Sequence, residues 1–167
     1  MLHGGLFNID LQFGELLPAL AQTRQVIAAD FQAHGRTGDI DRPLTSADLA
    51  SDVVGLLKHL GVPKVDVFGF SVGGGVALHL AIKHPELLRQ MIVSSVSVHP
   101  DGDRPENAEA VGEMTVDMIA GTRWSATTWP SRRTRAGCRI CWTTWARSTR
   151  ASPAGPTTRS RASARRR

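Results

Sequence analysis

Residues 1–121 of this 167-residue chain predict an α/β fold, a mostly parallel sheet with helices on both faces. Two observations carry that expectation. Short apolar runs alternate with stretches of helical pattern, and the stretches between successive runs are long enough to be crossovers, which join parallel neighbours. In such sheets ligands gather at the carboxyl ends of the strands. Three segments end strands there, LHGG (2–5), AADFQAHGRTG (28–38) and GFSVGG (69–74).

Leu16, Leu17, Leu20 and Ala21 fall on one face of a helix, and QVIAADF (25–31) reads as a short buried strand. Thr45 and Ser46 offer N-caps to a helix through SADLASDVVGLLKHLG, with Leu49, Val53, Leu56, Leu57 and Leu60 on one apolar face. Gly61 suits the C′ position and Pro63 stops the helix. KVDVFGF is the next strand, VGGGVALHLAIKHP the next helix, and LRQMIVSSVSV the strand after it. Met1 falls inside what should be a central strand, so earlier strands of a full domain are expected to be missing and the core is expected to be a truncated one.

The chain is not one statistical population. Residues 1–121 hold all 15 acidic residues against 8 basic ones, a formal charge of −7, with all six histidines and all five phenylalanines. Residues 122–167 hold 12 arginines and no acid, leucine, valine or histidine. The first part reads as a partial globular core. The second reads as a disordered or poorly folded basic tail, because it lacks the apolar periodicity needed to offset its ordering entropy. Its Arg/Thr/Ser/Ala/Trp composition is what GC-rich coding DNA gives when read out of frame. GC-rich codons for residues 123–160, re-read one nucleotide earlier, permit a string with acidic residues and leucines at helical spacing.

Other uses of the tail are disfavoured. Twelve arginines with Trp124, Trp129, Trp142 and Trp145 could contact phosphates and stack bases, yet no nucleic-acid fold accompanies them. Cys138 and Cys141 form a C-x-x-C with neither a second pair for zinc nor a preceding strand for a redox helix. No apolar run is long enough to span a membrane, and no secretory signal opens the chain, so a cytoplasmic location is expected.

GFSVG (69–73) has the form G-x-S-x-G between an apolar run and a helix. A sharp strand-to-helix turn strains the serine backbone, so small residues two before and two after, Gly69 and Gly73, avoid clashes. The turn lifts the Ser71 hydroxyl over a helix N-terminus, where unpaired N–H groups favour developing negative charge. The competing reading is a glycine turn used for packing or for phosphate. A phosphate loop is disfavoured, since G-x-x-x-x-G-K-[ST] is absent and no lysine follows before Lys83.

The order LHGG, VIAADFQAHGRT, VFGFSVGGGVALHLAIKHPELL, MIVSS resembles the α/β-hydrolase superfamily, in particular its esterase-like and lactonase-like members, over roughly residues 1–121. The resemblance implies Ser71 as nucleophile, with an oxyanion hole made by the N–H of Val72 and that of Gly5 or Leu6. It implies a small-molecule acyl substrate and no metal or organic cofactor. Asp30, His34, Gly35 and Arg36 match a structural loop of the family.

A serine nucleophile needs a general base oriented by a carboxylate, and in this family both follow the serine. After Ser71 only His79, His84 and His99 remain. His79 lies about 12 Å along its helix from Ser71, at ~1.5 Å per residue, and His84 at that helix's far end. His99, beside Asp101 and Asp103, is the one rescue the layout allows, although the family places its histidine on a later loop. The expected function is therefore an acyl hydrolase impaired or inactive in this chain. The alternatives are a non-catalytic binding fragment and, within the family, a cofactor-free haloperoxidase or a C–C bond hydrolase. The oligomeric state has no sequence signal.

Overall fold

The computed structural model describes residues 1–99, together with Gly102 and Glu106. The expected boundary at residues 121/122, Asp101, Asp103, both cysteines and the four tryptophans lie outside the described residues.

Helix α1 (Ile9–Phe13) opens where Asn8 accepts the N–H of Leu11 at 2.8 Å, and α2 (Leu17–Ala21) follows. The expected apolar face of α2 buries nothing fully, and Leu16 is 44% exposed. Helix α3 (Ser46–His59) starts at Thr45, whose hydroxyl accepts the N–H of Asp48 at 3.1 Å. It ends as the glycine signal predicts. Gly61 sits at φ 65°, its N–H reaches the Lys58 carbonyl, and the Val62 N–H reaches Leu57, the paired bonds of a Schellman ending. The buried stripe of α3 is Leu49, Ala50, Val54 and Leu57, whereas Leu60 is 49% exposed, so the apolar face is turned from the expected one.

Strand β1 (Val65–Phe70) runs into helix α4 (Val72–Lys83), which crosses over to strand β2 (Leu88–Ser94). The strands pair in parallel from Val65 opposite Leu88 to Phe70 opposite Ser94, with an irregularity after Val65. That is the predicted β–α–β crossover. On the other side of β1, Leu2 forms a single parallel bridge to Gly69. The first segment thus lies beside β1, while residues 25–31 form no strand. Their links to the first segment are the Met1 ammonium on the Ile27 carbonyl at 2.8 Å and the Phe31 N–H on a ring nitrogen of His3 at 2.9 Å. One end contact and one side-chain acceptor do not make a ladder.

Alternation along β1 separates two cores. Val65 and Val67 face a cluster built from Leu49, Ala50, Val54, Leu57, Val76, Ala77 and Leu80, that is, from α3 and α4. Phe68 turns the other way and meets the ring of Phe13 of α1 edge-on, centroids 5.6 Å apart. Helices therefore cover both faces of β1, and its carboxyl end is left for the turn into α4. No helix among the described residues is long and apolar enough to cross a membrane.

Candidate active site at the strand-to-helix turn

Ser71, between β1 and α4, has φ 51° and ψ −115°, a left-handed backbone that costs a non-glycine residue of order 1–3 kcal/mol. Close backbone approach holds it there. A Cβ on Gly69 would lie 2.6 Å from the carbonyl carbon of Gly73, and one on Gly73 would lie 2.7 Å from the carbonyl oxygen of His3 and closer still to that of Leu2. The Ser71 N–H donates to the Ser94 carbonyl at 2.9 Å, extending the β1–β2 pairing into the turn. The Ser71 carbonyl accepts the N–H of Gly75 at 3.0 Å, and the Gly73 N–H donates to the His3 carbonyl at 3.1 Å. The turn is thus bonded to β2, to its own helix and to the LHGG segment.

Among the described residues, nothing hydrogen-bonds the Ser71 hydroxyl, and the N–H groups of Val72 and Gly5 have no acceptor. Val72 opens α4, where the first N–H groups of a helix lack intrahelical partners. Gly5 lies in a tight turn closed by the Phe7 N–H on the Gly4 carbonyl at 3.0 Å. The structure brings the LHGG segment onto the Ser71 turn, as the motif order predicts.

Among the described residues, no histidine or carboxylate hydrogen-bonds the hydroxyl. His79 is on α4 and His84 at its far end, with Nδ1 3.5 Å from Glu86. His99 is exposed, and its backbone carbonyl accepts the Ser97 hydroxyl at 2.7 Å and the Gly102 N–H at 2.9 Å. No hydrogen bond joins it to Ser71.

Two other histidines do more than the sequence indicates. His3 is fully buried. Its Nε2 accepts the Phe31 N–H, so the proton of the neutral ring sits on Nδ1, 2.8 Å from the Gly4 carbonyl. Burial, followed by the nearby His34, lowers its pKa to about 4, against smaller raising effects of the Gly4 carbonyl and Asp30. His34, also buried, has Nδ1 2.8 Å from the Gln32 carbonyl and Nε2 2.8 Å from the Gly5 carbonyl. No spacing rule links positions 3, 5 and 34, and only the fold shows the contact.

The loop around His34 is sewn by Asp30. This buried carboxylate accepts the Ile9 N–H at 2.8 Å and the Arg36 N–H at 2.9 Å, and the Thr37 hydroxyl donates to the Asp30 carbonyl at 2.7 Å. Arg36 also bridges to Asp10. Among the described residues, no group of three or more His, Cys, Asp or Glu side chains could hold a metal.

A family model described as the alpha/beta hydrolase fold matches residues 1–140. The chain is 34% identical over 118 residues to a pimeloyl-[acyl-carrier protein] methyl ester esterase of Neisseria meningitidis serogroup B / serotype 15 (strain H44/76), covering 68% of this chain and 43% of that protein. It is 40% identical over 83 residues to a 2-hydroxymuconate semialdehyde hydrolase of Pseudomonas sp. (strain CF600), covering 47% of this chain and 28% of that protein. The crystal structure of a hydrolase from Pseudomonas aeruginosa PA01 matches with a TM-score of 0.63 at 21% identity, covering 90% of this chain and 62% of that one. The chain thus spans less than half the length of these two curated relatives.

Proposed function

The chain belongs to the α/β-hydrolase fold family, and from that premise we propose that its chemistry is hydrolysis of an ester, lactone or similar small acyl substrate, with Ser71 as the nucleophile. The observation that carries this reading is the Ser71 turn. A strained residue is held by backbone contacts to β2, to its own helix and through Gly73 to the LHGG segment, while its hydroxyl bonds no described residue. The named activity of the esterase relative agrees with an ester substrate.

In the proposed reaction the Ser71 oxygen attacks the carbonyl carbon and loses its proton to a base, and the N–H groups of Val72 and of Gly5 or Leu6 face the oxyanion. The tetrahedral intermediate expels the alcohol, which takes up that proton, and water then cleaves the acyl-serine. The scheme uses no metal or organic cofactor. Hydrolysis of a C–C bond and cofactor-free haloperoxidation would use the same turn and are the alternatives within the family.

Turnover needs a base, and none of the described residues bonds the Ser71 hydroxyl. Steady ester turnover by these 167 residues is therefore expected to be weak or absent, and a binding-only protein is the competing reading. A fluorophosphonate probe separates the two. Ser71 is expected to be labelled slowly in the full chain and not at all in Ser71→Ala, with peptide mapping to locate the adduct. Equal absence of labelling in both would remove acyl transfer as a property of this polypeptide, and robust hydrolysis lost in His99→Ala would replace the expectation of weak turnover with His99 as the base.

A further inference from the structure

Gly5 has a glycine's wide backbone freedom, yet the peptide on each side of it is held by a histidine ring. Before it, His3 Nδ1 donates to the Gly4 carbonyl, which also accepts the Phe7 N–H. After it, His34 Nε2 faces the Gly5 carbonyl at 2.8 Å. A trans peptide is flat, with its C=O and N–H pointing in opposite directions, and no cis peptide occurs here. A bond to the Gly4 carbonyl therefore aims the Gly5 N–H the other way, and a bond to the Gly5 carbonyl aims the Leu6 N–H. In the proposed reaction the Gly5 N–H is a donor to the oxyanion, together with that of Val72.

The rest of the turn is tied as well. The His3 carbonyl takes the Gly73 N–H, and the Gly4 N–H donates to the Gln12 side chain at 2.7 Å. The two rings lie 5.1 Å apart, and both are buried, where water competes little for their bonds. What distinguishes His34 is its origin. It comes from the Asp30 loop and reaches across to residue 5, so it fixes the second peptide of Gly5 from outside the turn.

We propose that His34 is a positioning residue, which donates from Nε2 to the Gly5 carbonyl and completes with His3 a two-histidine clamp on Gly5 that presents the oxyanion donor to the Ser71 turn. Its effect on rate rests on the serine-hydrolase reading; the clamp itself does not. Both ring nitrogens of His34 face carbonyls, Nδ1 that of Gln32 and Nε2 that of Gly5; because a carbonyl only accepts, the proposal requires the proton on Nε2.

The test uses the full chain and the variants His34→Gln, His34→Asn and His34→Ala. Glutamine keeps an N–H donor near the Nε2 position, and asparagine keeps one near Nδ1. Two quantities are read, the rate of fluorophosphonate labelling of Ser71 and the backbone order parameter of the Gly5 amide by NMR relaxation. Labelling is expected to fall roughly tenfold to a hundredfold in His34→Ala and His34→Asn, with most of it restored in His34→Gln. The Gly5 order parameter should fall from about 0.85 to below about 0.6 in the first two and stay near wild type in the third. General loss of packing would not favour glutamine over asparagine. Equal Gly5 order parameters in wild type and His34→Ala, or rescue by asparagine as good as by glutamine, overturn the clamp. If the wild-type chain is not labelled, the acyl-transfer reading fails while the Gly5 order parameter still decides the clamp.

Discussion

The Ser71 turn and the loop from Asp30 to Thr37 both force residues into left-handed backbone, and they do it by opposite means. At the Ser71 turn the constraint is made of main chain, with Gly69 against Gly73 and Gly73 against Leu2 and His3. In the loop, Ala33 (φ 61°) and Gly35 (φ 50°) sit in a frame of side chains. The Asp30 carboxylate occupies the space a Gly35 side chain would need, its Cγ 2.5 Å from the Cβ position. The loop uses its side chains for structure, whereas the turn leaves the Ser71 hydroxyl out of it.

The sharpest break of this contrast is Gly73→Ala. The added carbon collides with backbone that cannot move without parting Leu2 from β1, so a loss of roughly 3 kcal/mol or more is expected. Urea unfolding checks it, and a loss under about 1 kcal/mol would mean that the main-chain frame is softer than drawn.

Acid probes the side-chain frame. The folded chain keeps His3 neutral down to about pH 4, and the unfolded chain protonates it near its ordinary value of about 6.5. Between these values the unfolded state binds more protons, so the His3 contribution is intact above pH 6.5 and is lost progressively toward pH 4, by about 3 kcal/mol at the lower end. In His3→Asn, which keeps a donor near the Gly4 carbonyl, the fall in unfolding midpoint between pH 7 and 4.5 should be visibly smaller. An unchanged fall would assign the acid sensitivity elsewhere.

Ser71→Gly is the gentlest test and has the opposite sign. Glycine relieves the φ of 51° and removes a hydroxyl that bonds no described residue, so stability should rise by up to about 1 kcal/mol. A loss instead would show that the serine side chain supports the fold.

Much of this was legible beforehand because it is local. Thr45, Gly61 and the apolar run of β1 act through neighbours a few residues away, and G-x-S-x-G announces its own turn. The expectation failed where distant partners decide. Residues 25–31 have strand composition, but one of their amides is taken by the His3 ring. Leu60 fits the apolar period of α3, but the Gly61 turn carries it past the cluster into solvent. The reach of His34 to Gly5 joins positions 29 apart in the chain, and that separation follows no period.

The glycine contacts also bear on inheritance. Every other amino acid carries a Cβ, so any coding change at Gly69 or Gly73 meets main-chain atoms, whereas replacing the Ser71 side chain breaks no hydrogen bond among the described residues. Selection on folding alone thus preserves the shape of this turn and leaves its hydroxyl unguarded. A lineage could retain the turn long after ceasing to use it, so the glycines of this turn speak for the fold and not for the proposed chemistry of Ser71.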